Sequence, residues 1–224
     1  MPAFNEEQTL QVATERILHQ DRVQELLIVD DASSDRTLEI AESLARKNPK
    51  IRVFKHEVNL GKGAALRTGF QQATSDVVGI HDADLEYDPA DYKNMLEPFD
   101  KGVADVVFGS RFIGSGPHRV VYFWHYVGNR FLTTLSNMLT NINLTDMETC
   151  FKFFKREIIQ SINIKENRFG FEPEITAKVA KKKVCIYEVP VAYYGRTYEE
   201  GKKINWKDGL AALKCILKYN LLSR

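Results

Sequence analysis

Cysteine is scarce in this chain. Three occur in 224 residues, at Cys150, Cys185 and Cys215. The odd count argues against a disulfide framework, and the spacing matches no metal motif. They read as reduced core thiols of a cytoplasmic protein. Long hydrophobic runs are missing as well. No apolar stretch approaches 18 residues and no signal peptide opens the chain, so nothing reads as a transmembrane span. Net charge is nearly absent at +1, and no nucleic-acid module motif occurs, which sets nucleic acid aside as a partner. Internal repeats and low-complexity tracts are also lacking. What remains, 44% hydrophobic and 27% charged residues, describes a globular domain with a sizeable core.

The small net charge hides an uneven distribution. Residues 1–110 hold 12 Lys/Arg against 20 Asp/Glu, whereas residues 178–224 hold 11 against 4. An acidic first half suits cation handling, and a basic tail suits phosphates or an anionic surface.

Strand and helix patterns alternate through the first half. Asn5 reads as the N-cap of a helix with Glu6 and Glu7 in its first turn. Apolar runs at 25–29, 51–54, 76–80 and 105–109 read as buried strands. Helices fill the gaps, one capped by Ser33-Ser34-Asp35, one opening at Asn59-Leu-Gly-Lys-Gly63 and one around 92–101. Such alternation predicts right-handed βαβ units and a mainly parallel sheet flanked by helices.

Polar residues gather where these strands end: Asp30-Asp31, Asp82-x-Asp84 and Ser110-Arg111. Ligands of open α/β sheets collect at that edge. In an extended segment Asp82, Asp84 and Glu86, two residues apart, point the same way. Converging carboxylates need a cation between them, and hard oxygen donors suit Mg²⁺ or Mn²⁺ shared with phosphate. The plainer alternative is a solvated acidic loop. Gly61-Lys62-Gly63, at a helix start, offers backbone N–H groups and one ammonium to an anion, without the spacing of a Walker loop or a dinucleotide fingerprint.

PAFNEE, IVDDASSDRT, NLGKGAALRTGF, DADLEYDP and GSRF, in this order, resemble the inverting family 2 glycosyltransferases of the GT-A fold. More narrowly they are similar to the polyprenyl-phosphate (dolichol-phosphate type) hexosyltransferases. The resemblance continues through TDMETCFKFFKRE, RFGFEPEIT and GRTYEEGKK, and so spans nearly the whole chain. It implies one α/β GT-A domain over 1–224, with residues 1–110 as the nucleotide-sugar half and 111–224 as the acceptor-side half. The QxxRW motif of processive synthases is missing, which points to single sugar transfer.

The resemblance also implies roles. Pro2, Phe4, Glu6 and Asp31 line the base and ribose pocket, joined on the donor side by Lys62, Asp82 and Ala83. Asp84 and Glu86 bind Mg²⁺ or Mn²⁺ on the diphosphate of a GDP- or UDP-linked sugar. Arg111 and Arg130 receive the phosphate of a lipid acceptor, while Arg196 and Lys202 close over the donor diphosphate. Asp146 stands near the sugar, to orient the nucleophile or contact a hydroxyl, with a strand-start cap as its plainer reading. Asp84, Asp146 and Arg111 are the expected catalytic set. His118 and Arg119 read as loop residues. An anionic phosphate acceptor needs no strong base.

There are departures. The family's first strand normally places apolar residues ahead of Pro-Ala-x-Asn-Glu-Glu, so an exposed stretch of sheet and a looser base pocket are expected at Pro2 to Glu7. Many relatives continue into transmembrane helices beyond the point where this sequence stops. Three alternatives remain: transfer to a soluble or glycan hydroxyl, a sugar-1-phosphate nucleotidyltransferase, and a non-catalytic nucleotide-sugar sensor. The nucleotidyltransferase ranks low, because its Gly-rich N-terminal loop with a downstream Arg and Lys is absent.

Two later segments bear on the acceptor. Residues 120–139 read as a helix whose stripe of Phe123, Val127, Phe131, Leu135, Met138 and Leu139 predicts core packing, with Tyr122, Trp124 and Tyr126 available to a lipid interface. A last helix over 206–222 sets Leu210, Leu213 and Leu217 apart from Lys207, Lys214 and Lys218, suiting a docked helix or a monotopic membrane contact. Peripheral attachment at the cytoplasmic membrane face follows from both.

Overall fold

The computed structural model describes residues 1–114, 119–120, 122–195 and 206–222. Strands and helices alternate as the periodicity predicts: β1 (Pro2–Ala3), α1 (Leu10–Leu18), β2 (Leu26–Asp30), α2 (Thr37–Lys47), β3 (Ile51–Lys55), α3 (Lys62–Gln72), β4 (Val77–Gly79), α4 (Tyr92–Asp100) and β5 (Val106–Ser110). Then follow α5 (Phe123–Thr140), β6 (Lys152–Lys155), α6 (Arg156–Gln160), α7 (Phe171–Lys181), β7 (Ile186–Pro190) and α8 (Trp206–Leu217). A five-residue π turn, Lys218–Leu222, extends α8.

β1, β2 and β3 form a parallel sheet, in that order. The remaining strands form a second sheet, ordered β4-β6-β5-β7. Here the expectation of a buried, parallel β4 needs correcting: β4 is half-buried and pairs antiparallel with β6. Because β6 is also antiparallel to β5, and β7 is parallel to β5, only β6 runs against the others. The apolar run at 76–80 could not reveal this, because pairing direction is decided by a strand 75 residues away. One apolar core joins both sheets, with Ile28, Phe70, Val107, Phe154 and Phe171 all buried. Burial of such side chains, at about 1.5–3 kcal/mol each, is the main stabilising term.

The start of the sheet is covered rather than exposed: Ala3 is buried and pairs with Asp30. Met1 donates its ammonium to the Leu27 carbonyl at 2.8 Å, and burial lowers the pKa of that amine to about 6. Beside it lies a cavity of about 150 Å³, lined among others by Leu27 of β2, Phe70 of α3 and Val77 of β4.

Asn5 does not cap α1. It sits at φ 53°, and its Oδ1 accepts from the Ser34 N–H at 2.9 Å, while Thr9 precedes the helix. A short side chain that tolerates the left-handed region was recruited to join two loops.

The largest correction concerns α5. Its buried residues are Asn129, Thr133 and Ser136, whereas Phe123, Val127, Phe131 and Met138 are exposed and Leu135 and Leu139 half-buried. The polar side won because the loop before β6 needs partners. Asn129 Nδ2 donates to Asp146 Oδ1 at 3.3 Å, Thr133 Oγ1 accepts from the Met147 N–H at 3.1 Å, and Asn137 accepts from the Leu144 N–H and donates to its carbonyl. α8 packs by an apolar face, though not by the leucines its periodicity singled out. It docks through Ala212, Cys215 and Ile216, with Tyr219 beyond it, and leaves Leu210 and Leu217 exposed.

Candidate active site

Three strand ends converge on the candidate site. At the ends of β1 and β2 the two loops lock together: the Asn5 N–H donates to Ser33 Oγ at 3.0 Å and the Glu6 N–H to Thr37 Oγ1 at 2.8 Å. Pro2 pairs with Val29, Phe4 is exposed, and Glu6 Oε2 accepts from Thr9 Oγ1 at 2.8 Å. Asp31 is buried. Its carboxylate meets His56 Nδ1 at 2.7 Å and accepts from the Leu60 and Gly61 N–H groups at 3.0 and 2.6 Å. Its neighbour Asp30 keeps a buried Oδ1 with no hydrogen-bond partner in the structure.

The glycine segment is not an open anion cradle. A Cβ at Gly61 (φ 98°) would come within 2.4 Å of the Asn167 carbonyl oxygen, and one at Gly63 within 2.3 Å of that of Glu166. The glycines let α3 seat against the 166–167 backbone, whose Asn167 carbonyl also accepts from the Ala64 N–H at 3.2 Å. Lys62 turns instead to two acids, Asp82 at 2.9 Å and Glu172 at 3.3 Å. Burial opposes the charge on Asp82, yet the Lys62 ammonium prevails and holds the carboxyl below its usual range. Asp82 Oδ1 is buried without a hydrogen bond.

After β4 the chain does not stay extended. It turns at Ala83–Asp84, and Leu85 takes φ 62°. The side-chain alternation that made three carboxylates converge therefore breaks. Among the described residues no group of three His, Cys, Asp or Glu is arranged to hold a metal ion. Asp82 points to Lys62, while Asp84 and Glu86 flank Leu85 and are tied by the Glu86 N–H, which donates to Asp84 Oδ1 at 3.2 Å. Two hard carboxylates, with diphosphate oxygens supplying the rest, suit Mg²⁺ or Mn²⁺. Left-handed backbone at a non-glycine residue costs about 1–3 kcal/mol and tends to mark functional turns.

Glu86 leads to the other half of the site. Tyr193 donates its hydroxyl to Glu86 Oε2 at 3.0 Å, and the Tyr194 N–H donates to the Glu86 carbonyl at 2.8 Å. The Arg111 guanidinium stacks over the Tyr193 ring at 5.1 Å and forms a two-pronged pair with Asp146, at 2.6 and 2.7 Å. Asp146 is wholly buried. Burial opposes its ionisation, but Arg111 holds its carboxyl below the ordinary range. With both oxygens committed, Asp146 is an anchor for Arg111 rather than a free base.

Of the other expected residues, Ala83 is buried at the turn, Arg130 is exposed on α5, and Arg119 donates to the Gly195 carbonyl at 2.6 Å. His118, Arg196 and Lys202 lie outside the described residues. Sequence reasoning missed Tyr193, Glu172 and Glu148. Glu148 has a buried Oε1 without a partner, and burial, followed by the charge of Glu172, raises its pKa to about 8. Its one signal was its place two residues after Asp146. Beside it Lys152 is fully buried, giving its ammonium to the Met147 carbonyl at 3.0 Å and to that of Thr149.

The sheets, the acidic turn after β4 and the arginine after β5 define a GT-A fold of the glycosyltransferase class. Solved structures agree: glucosyl-3-phosphoglycerate synthase from Mycobacterium tuberculosis in complex with UDP superposes with a TM-score of 0.75 at 19% identity, over 97% of this chain and 77% of that one. The same enzyme solved with Mn²⁺ and UDP-glucose superposes with a TM-score of 0.74. The family model "Glycosyl transferase family 2" matches residues 1–162, and the chain belongs to that family. Among curated relatives, polyprenol monophosphomannose synthase from Mycolicibacterium smegmatis is 26% identical over 88% of this chain and 76% of its own length. Undecaprenyl-phosphate mannosyltransferase from Micrococcus luteus is 27% identical over 90% and 85%.

Proposed function

We propose that the protein is an inverting, metal-dependent hexosyltransferase. It moves a mannose- or glucose-type sugar from a GDP- or UDP-linked donor to a polyprenyl or dolichyl phosphate at the cytoplasmic membrane face. The observation that carries this reading is the continuous chain Glu86–Tyr193–Arg111–Asp146, which joins an acidic turn to a buried, rigid arginine. Both relatives named above are polyprenyl-type phosphate mannosyltransferases, and this chain covers three quarters or more of each.

In this reading the loops after β1 and β2 hold the nucleoside, with Pro2, Phe4, Glu6 and Asp31 at its pocket and the unpartnered Asp30 Oδ1 available to the base or ribose. Asp84 and Glu86 hold Mg²⁺ or Mn²⁺, which when bound offsets charge on the departing diphosphate. Arg196 and Lys202 close on that diphosphate. Arg111, held by Asp146 and stacked on Tyr193, meets the acceptor phosphate, with Arg130 guiding it from α5. The acceptor oxygen is already anionic, so the buried, paired Asp146 has no proton to take. Residues 1–110 serve the donor and 111–224 the acceptor. Cys150 and Cys215 are buried while Cys185, expected in the core, is exposed; all three are free thiols and suit a reducing compartment.

Competing acceptors test the substrate class. Supplied with labelled nucleotide sugars, polyprenyl phosphate and a soluble phosphorylated hydroxy acid together, the protein should place label in the organic-extractable lipid. Label confined to the soluble compound would favour the alternative that the fold likeness to the phosphoglycerate enzyme supports.

A further inference from the structure

Tyr193 is wedged between the two halves of the site. Side chains alternate beyond the end of β7 at Pro190, so that Val191 and Tyr193 turn inward, each 8% exposed, while Tyr194 is 54% exposed. The acidic turn after β4 pins this stretch of backbone. Tyr193 forms a bridge with Tyr87, and the Tyr194 N–H donates to the Glu86 carbonyl at 2.8 Å. One residue earlier, the Ala192 N–H donates to Asp91 Oδ2 at 2.6 Å. The ring itself is packed against the core: it meets the Tyr87 ring at 5.2 Å, and Tyr87 stacks on buried Phe151 at 4.6 Å. Gly195 lies so close that a Cβ there would come within 2.4 Å of a Tyr193 ring carbon.

A phenol held in this way has two chemically different ends. Its hydroxyl donates to Glu86 Oε2 at 3.0 Å, and its face carries the Arg111 guanidinium, 5.1 Å from the ring centre. We propose that Tyr193 is a positioning residue with two separable jobs. The hydroxyl aims the Glu86 carboxylate at the divalent cation, and the ring sets the plane of Arg111 for the acceptor phosphate.

The physical reasons differ for the two ends. A carboxylate turns about its last bond unless a donor fixes one oxygen, and hydrogen-bonding partners of metal ligands typically govern affinity by about 10–100-fold. A guanidinium is planar, and stacking on an aromatic face directs its N–H groups sideways. Asp146 fixes one edge of the Arg111 fork through Nε and Nη2. Edge and plane together determine where the remaining donors point. One side chain thereby sets the spacing between the cation of the donor side and the arginine of the acceptor side. Both jobs rest on the roles proposed above for Glu86 and Arg111.

Two substitutions in the full chain separate them. Tyr193→Phe keeps the ring and removes the hydroxyl, whereas Tyr193→Leu removes both. Mn²⁺ binding in saturating GDP or UDP, read by electron paramagnetic resonance, needs no turnover. Tyr193→Phe should weaken Mn²⁺ binding about tenfold or more, yet at saturating Mn²⁺ keep the KM for polyprenyl phosphate within about twofold of wild type. Tyr193→Leu should weaken Mn²⁺ binding as much and also raise that KM roughly fivefold or more. Tyr87→Phe is the control, because it removes a neighbouring buried hydroxyl that accepts from the Cys150 N–H at 3.3 Å. It should lower Tm and leave Mn²⁺ binding as in wild type. Wild-type Mn²⁺ affinity in Tyr193→Phe overturns the first job, and an equal acceptor KM in the Phe and Leu proteins overturns the second. An equal loss of Mn²⁺ affinity in Tyr87→Phe overturns both, leaving Tyr193 a packing residue. If wild type transfers sugar to no polyprenyl phosphate while Tyr193→Phe still loses Mn²⁺ affinity, the lipid-phosphate reading fails and the aiming of Glu86 stands.

Discussion

Arg111 and Asp146 meet through two parallel hydrogen bonds, Nε to Oδ2 at 2.6 Å and Nη2 to Oδ1 at 2.7 Å, and the Arg111 N–H adds a third to Oδ2 at 3.1 Å. The pair ties the end of β5 to the loop before β6. Removing one partner of a buried pair strands the other charge. Asp146→Asn should therefore lower stability by about 3–5 kcal/mol, read as a fall in Tm. Arg111→Ala should raise the KM for the phosphate acceptor and leave nucleoside diphosphate affinity within about twofold. An unchanged Tm in Asp146→Asn, or lost nucleotide binding in Arg111→Ala, would contradict these assignments.

Glu148 gives a pH signature. Its pKa in the folded protein is about 8, raised first by burial and then by Glu172, with Lys152 and Arg111 opposing and Asp146 adding. The unfolded value is near 4.3. The folded state thus holds a proton that the unfolded state has lost between those pH values, and the contribution to stability declines as pH rises across that window. Glu148→Gln should flatten this part of the Tm–pH profile between pH 5 and 8, relative to wild type. Parallel profiles would mean that Glu148 is ionised throughout.

Gly61→Ala tests the seating of α3. The new methyl meets the Asn167 carbonyl oxygen at 2.4 Å and the backbone must hold φ 98°. Both effects push the same way, and a loss of about 2 kcal/mol or more is expected. Because the Gly61 N–H donates to Asp31 at 2.6 Å, weaker donor binding should accompany the fall in Tm. Wild-type stability would show that the 166–167 backbone yields.

Much of the first half was legible in the sequence because strand and helix periods there are local. The ends of β2 and β5, at Asp30 and Ser110, fall where the apolar runs stop. The acidic turn was legible in its residues and not in its shape, since nothing in HDADLEYDP announces that Leu85 is left-handed. Lys62 looked like an anion ligand because its partners, Asp82 and Glu172, lie 20 and 110 residues downstream. α5 misled most. A perfect apolar stripe normally faces the core, yet the demand of Asp146 and Met147 for polar partners turned it outward. Tertiary hydrogen bonding of that kind leaves no periodic trace.

The central claim is metal-assisted transfer of a hexose onto a lipid phosphate, and its most direct measurement is label transfer from a nucleotide sugar to polyprenyl phosphate with and without divalent cation. The account predicts transfer with Mg²⁺ or Mn²⁺, none in excess chelator, and restoration when the cation is returned. Asp84→Asn should reduce the rate by at least 100-fold, about 2.7 kcal/mol of transition-state stabilisation, while its Tm stays near wild type. Full transfer in chelator, or a fully active Asp84→Asn protein, would contradict it.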